Sequence, residues 1–130
     1  MSPDVTVRAA APEETVAVVG LLERALLEVD PETVRDRAGR GDVLVATTDG
    51  RPLAGALVLG GERIDSVAVR PARRGEGVGT ALVGAAADRH ERLVAQFRPA
   101  VAPFYESLGF DVERRGERCR GVLGSDASHG

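Results

Sequence analysis

The chain contains no lysine, no asparagine and no tryptophan, and only one cysteine, one tyrosine and one isoleucine. Each shortage removes a class of function. All 17 cations are arginine, so a nucleotide-binding loop of the Walker type, whose lysine reaches the terminal phosphates, is excluded. A lone cysteine, Cys119, excludes an internal disulfide framework and a multi-cysteine zinc site, and it suits a reducing compartment. The arginines are outnumbered by 20 aspartates and glutamates, for a net charge of −3. A nucleic-acid or anionic-membrane partner would require the opposite balance. No run of about 20 apolar residues occurs, and no basic segment with an apolar stretch follows Met1-Ser2-Pro3-Asp4. The expectation is a cytoplasmic protein with neither membrane nor nucleic acid as partner.

What is present suffices for a core. Hydrophobic residues make up 43% and charged residues 28% of 130 positions, a balance that buries well in one domain and argues against disorder. No repeat or linker interrupts residues 1–124, and the small polar run 125–130 reads as a loose tail.

The hydrophobic period changes along the chain. Val5-Thr6-Val7-Arg8 alternates like a strand, and Pro12-Glu13-Glu14 opens a helix. Val16, Val19, Leu22, Leu26 and Val29 recur at steps of three and four and predict its buried stripe. Asp30-Pro31-Glu32 caps a second short helix, which ends near Gly39 and Gly41. The period then falls to two. Residues 43–48, a turn at Asp49-Gly50, residues 53–59, a turn at Gly60-Gly61 and residues 64–69 predict antiparallel strands. A glycine-rich turn leads to a helix with Val78, Leu82, Ala85 and Ala86 on its apolar side. Residues 93–97 predict a strand, 101–108 a helix closed by Gly109, and 110–123 a hairpin turning at Arg115-Gly116-Glu117. This is an α/β chain with a mixed sheet.

The turn is the part with chemistry in it. Gly75, Gly77 and Gly79 alternate between a strand and a helix, directly after Arg73 and Arg74. Glycine lets backbone come close to a ligand, and the first N–H groups of a helix lack internal partners. Such a place favours phosphate, to which an arginine fork adds two-point contact. The dinucleotide fingerprint G-x-G-x-x-G does not match, because Gly79 follows Gly77 by two residues.

The stretch Val67-Ala68-Val69-Arg70-Pro71-Ala72-Arg73-Arg74-Gly75-Glu76-Gly77-Val78-Gly79-Thr80-Ala81-Leu82 closely resembles motif A of the GNAT acetyltransferases. Its signature, Arg or Gln, two residues, Gly, one residue, Gly or Ala, is met by Arg74-x-x-Gly77-x-Gly79. The element order agrees with that family over nearly the whole chain. The resemblance implies a central mixed, mostly antiparallel sheet of six to seven strands, flanked by about four helices and splayed into a V at an acetyl-CoA cleft. It also implies that Val67 and Val69 offer main-chain groups to the pantetheine and thioester. The phosphates would be held by Arg74, Gly75, Glu76, Gly77, Val78, Gly79 and Thr80.

Phe104-Tyr105-Glu106-Ser107-Leu108-Gly109-Phe110 looks like the same family's motif B. There the tyrosine sits by the CoA sulfur, and by this resemblance Tyr105 is the catalytic residue that protonates the departing thiolate. A phenol of pKa about 10 stays protonated at neutral pH and lies near a thiol's roughly 8.5. Arg98 and Val101 stand where many members carry Asn and Ala, so this chain departs from the family at the position of the Asn contact to CoA.

The implied activity is direct transfer of acetyl from acetyl-CoA to a primary amine on a small molecule or protein, without metal, by a monomer or homodimer. A non-catalytic acyl-CoA-binding or sensing module is the alternative. Glu62 and Asp65 are candidate bases for the amine. His90, His129 and Cys119 read as bland, and the arginines at 114, 115, 118 and 120, interrupted by Glu113 and Glu117, as a solvated hairpin.

Overall fold

The chain begins with strand β1 (Val5–Ala9), a 3-10 turn (Pro12–Glu14) and helix α1 (Thr15–Arg24). The computed structural model describes residues 5–25, 27–48, 53–70 and 77–124. Glu14 ties strand to helix: its Oε1 accepts from the Ala11 amide at 2.9 Å and from Arg8 Nη1 at 2.6 Å, and its Oε2 from Arg8 Nη2 at 2.9 Å. These bonds, the Arg8 fork first, hold the Glu14 carboxyl down at about 2.

Helix α1 is shorter than the periodicity predicts and turned by one residue. It buries Thr15, Val18, Val19, Leu21 and Leu22, whereas Val16 is 79% exposed. Rows beginning at 15 and at 16 both pass through 19 and 22, so spacing alone does not choose between them. The hydroxyl of Thr15 donates to Pro12 O at 2.8 Å, which lets this polar residue lie buried at the first turn. The helix ends before Val29, which packs partly against the same core from the following segment, and Leu26 lies outside the described residues. Helix α2 (Pro31–Gly39) starts as expected, with the Asp30 carboxylate accepting from the Glu32 amide at 3.0 Å.

Strands β2 (Val43–Thr48), β3 (Gly55–Gly60) and β4 (Arg63–Val69) follow, then helix α3 (Val78–Asp88) and strand β5 (Arg92–Phe97). A 3-10 turn (Pro99–Val101) leads into helix α4 (Ala102–Ser107), and β6 (Asp111–Arg115) and β7 (Arg118–Gly124) form the last hairpin. The seven strands make one sheet in the order β1-β2-β3-β4-β5-β7-β6. Pairing is antiparallel except between β4 and β5. The turn predicted at Asp49-Gly50 and the tail after Gly124 fall outside the described residues.

Alternation along the central strands sends side chains to two cores. Val43, Val45, Ala56, Val58 and Ala68 meet α1 and α2 on one face. Leu44, Ala46, Leu57, Leu59, Leu93 and Phe97 meet α3 and α4 on the other. Helix α3 buries Val78, Leu82, Val83 and Ala86, with Ala85 at the margin.

The sheet parts at its one parallel junction. β4 and β5 pair only at Arg63↔Val94 and Ile64↔Ala95, and β5 pairs with β7 along its whole length. A register shift at Val58/Leu59 leaves Asp65 as the extra residue on β4, immediately after its last pair with β5. The last residues of β4 therefore run along an open gap.

Two outcomes follow. A Cβ at Gly55 would lie 2.8 Å from Ala68 O and 2.9 Å from Val78 Cγ1, so Gly55→Ala should lower stability by about 1–3 kcal/mol in denaturant unfolding. Glu14, with its lowered carboxyl, contributes stability above the ordinary carboxylate range that is lost as pH falls toward about 2. Glu14→Gln should flatten that part of the stability-against-pH curve, measured by thermal unfolding.

Candidate active site

Strand register decides which way the end of β4 presents its backbone. The Arg70 amide donates to Ala54 O at 2.8 Å, which marks Ala54 and Arg70 as a hydrogen-bonded pair. Bonded and non-bonded pairs alternate, so Ala56↔Ala68 is bonded and Gly55↔Val69 and Leu57↔Val67 are not. The N–H and C=O groups of Val67 and Val69 therefore point away from β3, toward the place that β5 has left.

Helix α3 starts at the far end of that gap. Its cap, Gly77, is left-handed at φ 80°, and the first intrahelical bond runs from the Ala81 amide to Gly77 O at 2.9 Å. The amides of Val78, Gly79 and Thr80 come before that bond and have no helical acceptor. A Cβ on Gly77 would meet no described atom within 4 Å. A Cβ on Gly79 would come within 3.3 Å of Phe104 Cζ, so this glycine lets α4 close over α3. A mainly apolar cavity of 720 Å³ joins these parts, lined by Val67, Val69, Gly77, Gly79, Thr80 and Phe104 among others. Arg74, Gly75 and Glu76, predicted to share the phosphates, lie outside the described residues, as does Arg73.

A second cavity, of 490 Å³, shares Val67 and Val101 with the first and passes through the gap. Tyr105 and Phe97 line it from the α4 side, and Asp65, Ser66, Gln96 and Arg98 are also on its wall. Tyr105 is 3% exposed. Its ring stacks on Phe97 at 4.2 Å and meets Phe104 and Phe110 edge-on, each at 5.1 Å. Burial pushes the phenol up to about 12. The sequence suggests a phenol nearly matched to a thiol; the buried ring is instead a firmly neutral donor. No hydrogen bond to its hydroxyl forms among the described residues, so the ring is core and its donor is unspent.

Neither candidate base is free. Glu62 Oε1 accepts from Arg92 Nη1 at 2.9 Å. Asp65 accepts from Arg63 Nε at 2.7 Å and from Arg37, which also donates to Leu59 O at 2.9 Å. Burial works to raise the Asp65 carboxyl, but the bonds from Arg37 and Arg63 outweigh it and hold it below its usual value. A carboxylate held this way is a poor proton acceptor. Cys119 is buried among the core side chains, as expected of a small core residue, and His129 lies outside the described residues.

Arg118 is exposed, as the reading of a solvated hairpin expects, and it also lines the 490 Å³ cavity together with Arg98. The signal that finds both is strand register, which composition does not carry.

A family model for the acetyltransferase (GNAT) domain matches residues 39–112, which include β4, the gap, α3 and α4. The chain belongs to the GNAT acetyltransferase family. It is accordingly an acyltransferase. Its fold is shared with a GNAT-family acetyltransferase from Listeria monocytogenes at TM-score 0.69 and 14% identity, covering 92% of this chain and 94% of that one. The ribosomal-protein-S18-alanine N-acetyltransferase of Escherichia coli matches at TM-score 0.72 and 20% identity, covering 92% and 91%. Diaminobutyrate acetyltransferase from Paenibacillus lautus, in complex with L-2,4-diaminobutyric acid and coenzyme A, matches at TM-score 0.74 and 13% identity, covering 94% and 95%. No curated protein sequence matches the chain.

Tyr105 is the chain's only tyrosine and tryptophan is absent, so near-ultraviolet titration reads this phenol alone. Its ionisation should fall well above the ordinary value of about 10, approaching about 12, and move down to the ordinary value in denaturant. Stability should correspondingly fall as pH rises from the unfolded to the folded value, because the folded state keeps the proton longer.

Proposed function

We propose that the protein moves an acetyl group from acetyl-CoA directly to a primary amine of a small molecule or protein. Residues 1–124 would act as one cytoplasmic domain. The observation that carries this reading is the unpaired main chain of Val67 and Val69, running from the open start of α3 toward the Tyr105 ring. An extended, amide-bearing arm can pair with such an edge as a further strand would. The 720 Å³ cavity is within the range that takes a small ligand.

Each group then has a role. The amides of Val78, Gly79 and Thr80, with Gly77 and with Arg74, Gly75 and Glu76 before them, would hold the phosphates, helped by the positive end of the α3 dipole. Val67 would align the arm, and a main-chain N–H at Val69 would polarise the thioester carbonyl. Tyr105 would donate to sulfur as the C–S bond breaks and the C–N bond forms. The raised phenol stays protonated and so remains a donor to the developing thiolate, but the shift takes it further from a thiol's pKa, and the final proton reaches sulfur from Tyr105 or through water. The amine must shed a proton of its own. With Glu62 and Asp65 both bound to arginine, water in the open second cavity is the better acceptor. No metal has a part in these steps.

Acetyl-CoA should raise the unfolding temperature, and a panel of primary amines should release free thiol from it. Tyr105→Phe should lower kcat by about 10²-fold or more and leave the KM for acetyl-CoA nearly unchanged. Gly79→Asp, which sets a carboxylate beside Phe104 at the phosphate end, should abolish the thermal protection. Protection without thiol release on any amine would favour a sensing module, and the absence of both would sink the reading.

A further inference from the structure

The 490 Å³ cavity carries two arginines that nothing in the acetyl-transfer scheme employs. The β5–β7 ladder runs in register from Arg92↔Gly124 to Phe97↔Cys119. One step further sets Arg98 opposite Arg118, and both side chains line the cavity alongside Val67 and Tyr105. Like charges facing one another across strands destabilise a sheet. Their neighbours avoid this: Arg92 bonds Glu62, and Arg115 pairs with Glu113. Arg98 and Arg118 have no carboxylate and no hydrogen-bond acceptor among the described residues. Asp65, the one acidic side chain among the described lining residues, is already taken by Arg37 and Arg63. A cavity in a chain of net charge −3 thus offers two exposed guanidinium groups without a protein acceptor and, among the described residues, no free carboxylate.

We propose that the acceptor is a small amino acid, whose carboxylate is taken by Arg98 and Arg118 while its amine lies between Tyr105 and the Val67–Val69 edge. This rests on the acetyl-transfer reading and narrows its substrate. Paired guanidinium groups match a carboxylate through charge-assisted, two-point bonds, and a bound carboxylate removes their mutual repulsion. Ser66 and Gln96 add neutral polar groups on the same wall. A diamine has no such anchor, because its second ammonium would meet two arginines and an occupied aspartate. The arginines thus select for charge, and Val67 and Tyr105 set where the amine must reach.

The test compares matched acceptors: α-, β- and γ-amino acids, their amides, and diamines of the same lengths, read by thiol release from acetyl-CoA. At least one amino acid should exceed its amide and its diamine by tenfold or more in kcat/KM, the gain lying mainly in KM. In Arg98→Gln and Arg118→Gln, both at exposed positions, that ratio should shrink about tenfold while the unfolding temperature does not fall and the KM for acetyl-CoA holds. Calorimetric titration of N-acetylglycine against N-acetylglycinamide, with CoA present, measures the carboxylate preference without turnover. Amides or diamines used as well as the acids would overturn the proposal and leave acetyl transfer standing. If no amine is acetylated, the transfer reading fails, and the calorimetry alone decides on the arginine pair: no preference for the acid overturns it. A dipeptide with an acidic side chain preferred over every free amino acid would likewise overturn a small amino acid as acceptor.

Discussion

Two strands that part after two paired residues leave main-chain donors and acceptors with no neighbour, and the rest of the site is arranged around that gap. Backbone polar groups inside a fold need partners. Along most of the sheet they find them in the next strand, but Val67 and Val69 face the space that β5 has left. The core on both sides keeps this space from closing. Leu57, Leu82 and Phe104 pack on the α3 side, and α1 lies against β3 and β4 on the other. β5 is held along its other edge by β7 from Arg92 to Phe97.

Small residues keep the gap in contact with the helices that border it. Gly55 lets the start of α3 sit close on β3, and Gly79 lets the Phe104 ring cover that start. Gly121 does the same at the other end, where a Cβ would come within 3.1 Å of Phe97 and 3.2 Å of Phe110. The aromatic group around Tyr105 can therefore close on its phenol. The closeness that holds the ring also removes water from it, which is why the same packing places Tyr105 and raises its pKa.

The charges follow a similar logic. Arginine is the only cation other than the terminus and histidine, so carboxylates in the described part of the site meet a fork rather than a point charge. Asp65 is thereby held by two arginines and Glu62 by one. Arg98 and Arg118, which line the 490 Å³ cavity with no carboxylate partner among the described residues, are the groups from which the proposed acceptor side takes its sign.

Much of this was legible before any coordinates. Strand and helix order, the caps at Asp30 and Gly109, the hairpin turn at Gly116 and the left-handed Gly77 at the start of α3 all arise from local preferences, which act between residues a few positions apart. The two motifs were legible for the same reason. The phase of α1 was not, since Val16 and Thr15 sit on rows sharing Val19 and Leu22, and only the sheet beneath selects one. Nor was the fate of Asp65, whose partner Arg37 lies on α2, or the meeting of Arg98 with Arg118. The sequence by itself determined the family, the element order and the residue types available for chemistry. Tertiary structure alone decided which backbone edge stands open, which acids are spent and which arginines face one another, because strand register and packing join residues whose chain separation carries no local signal.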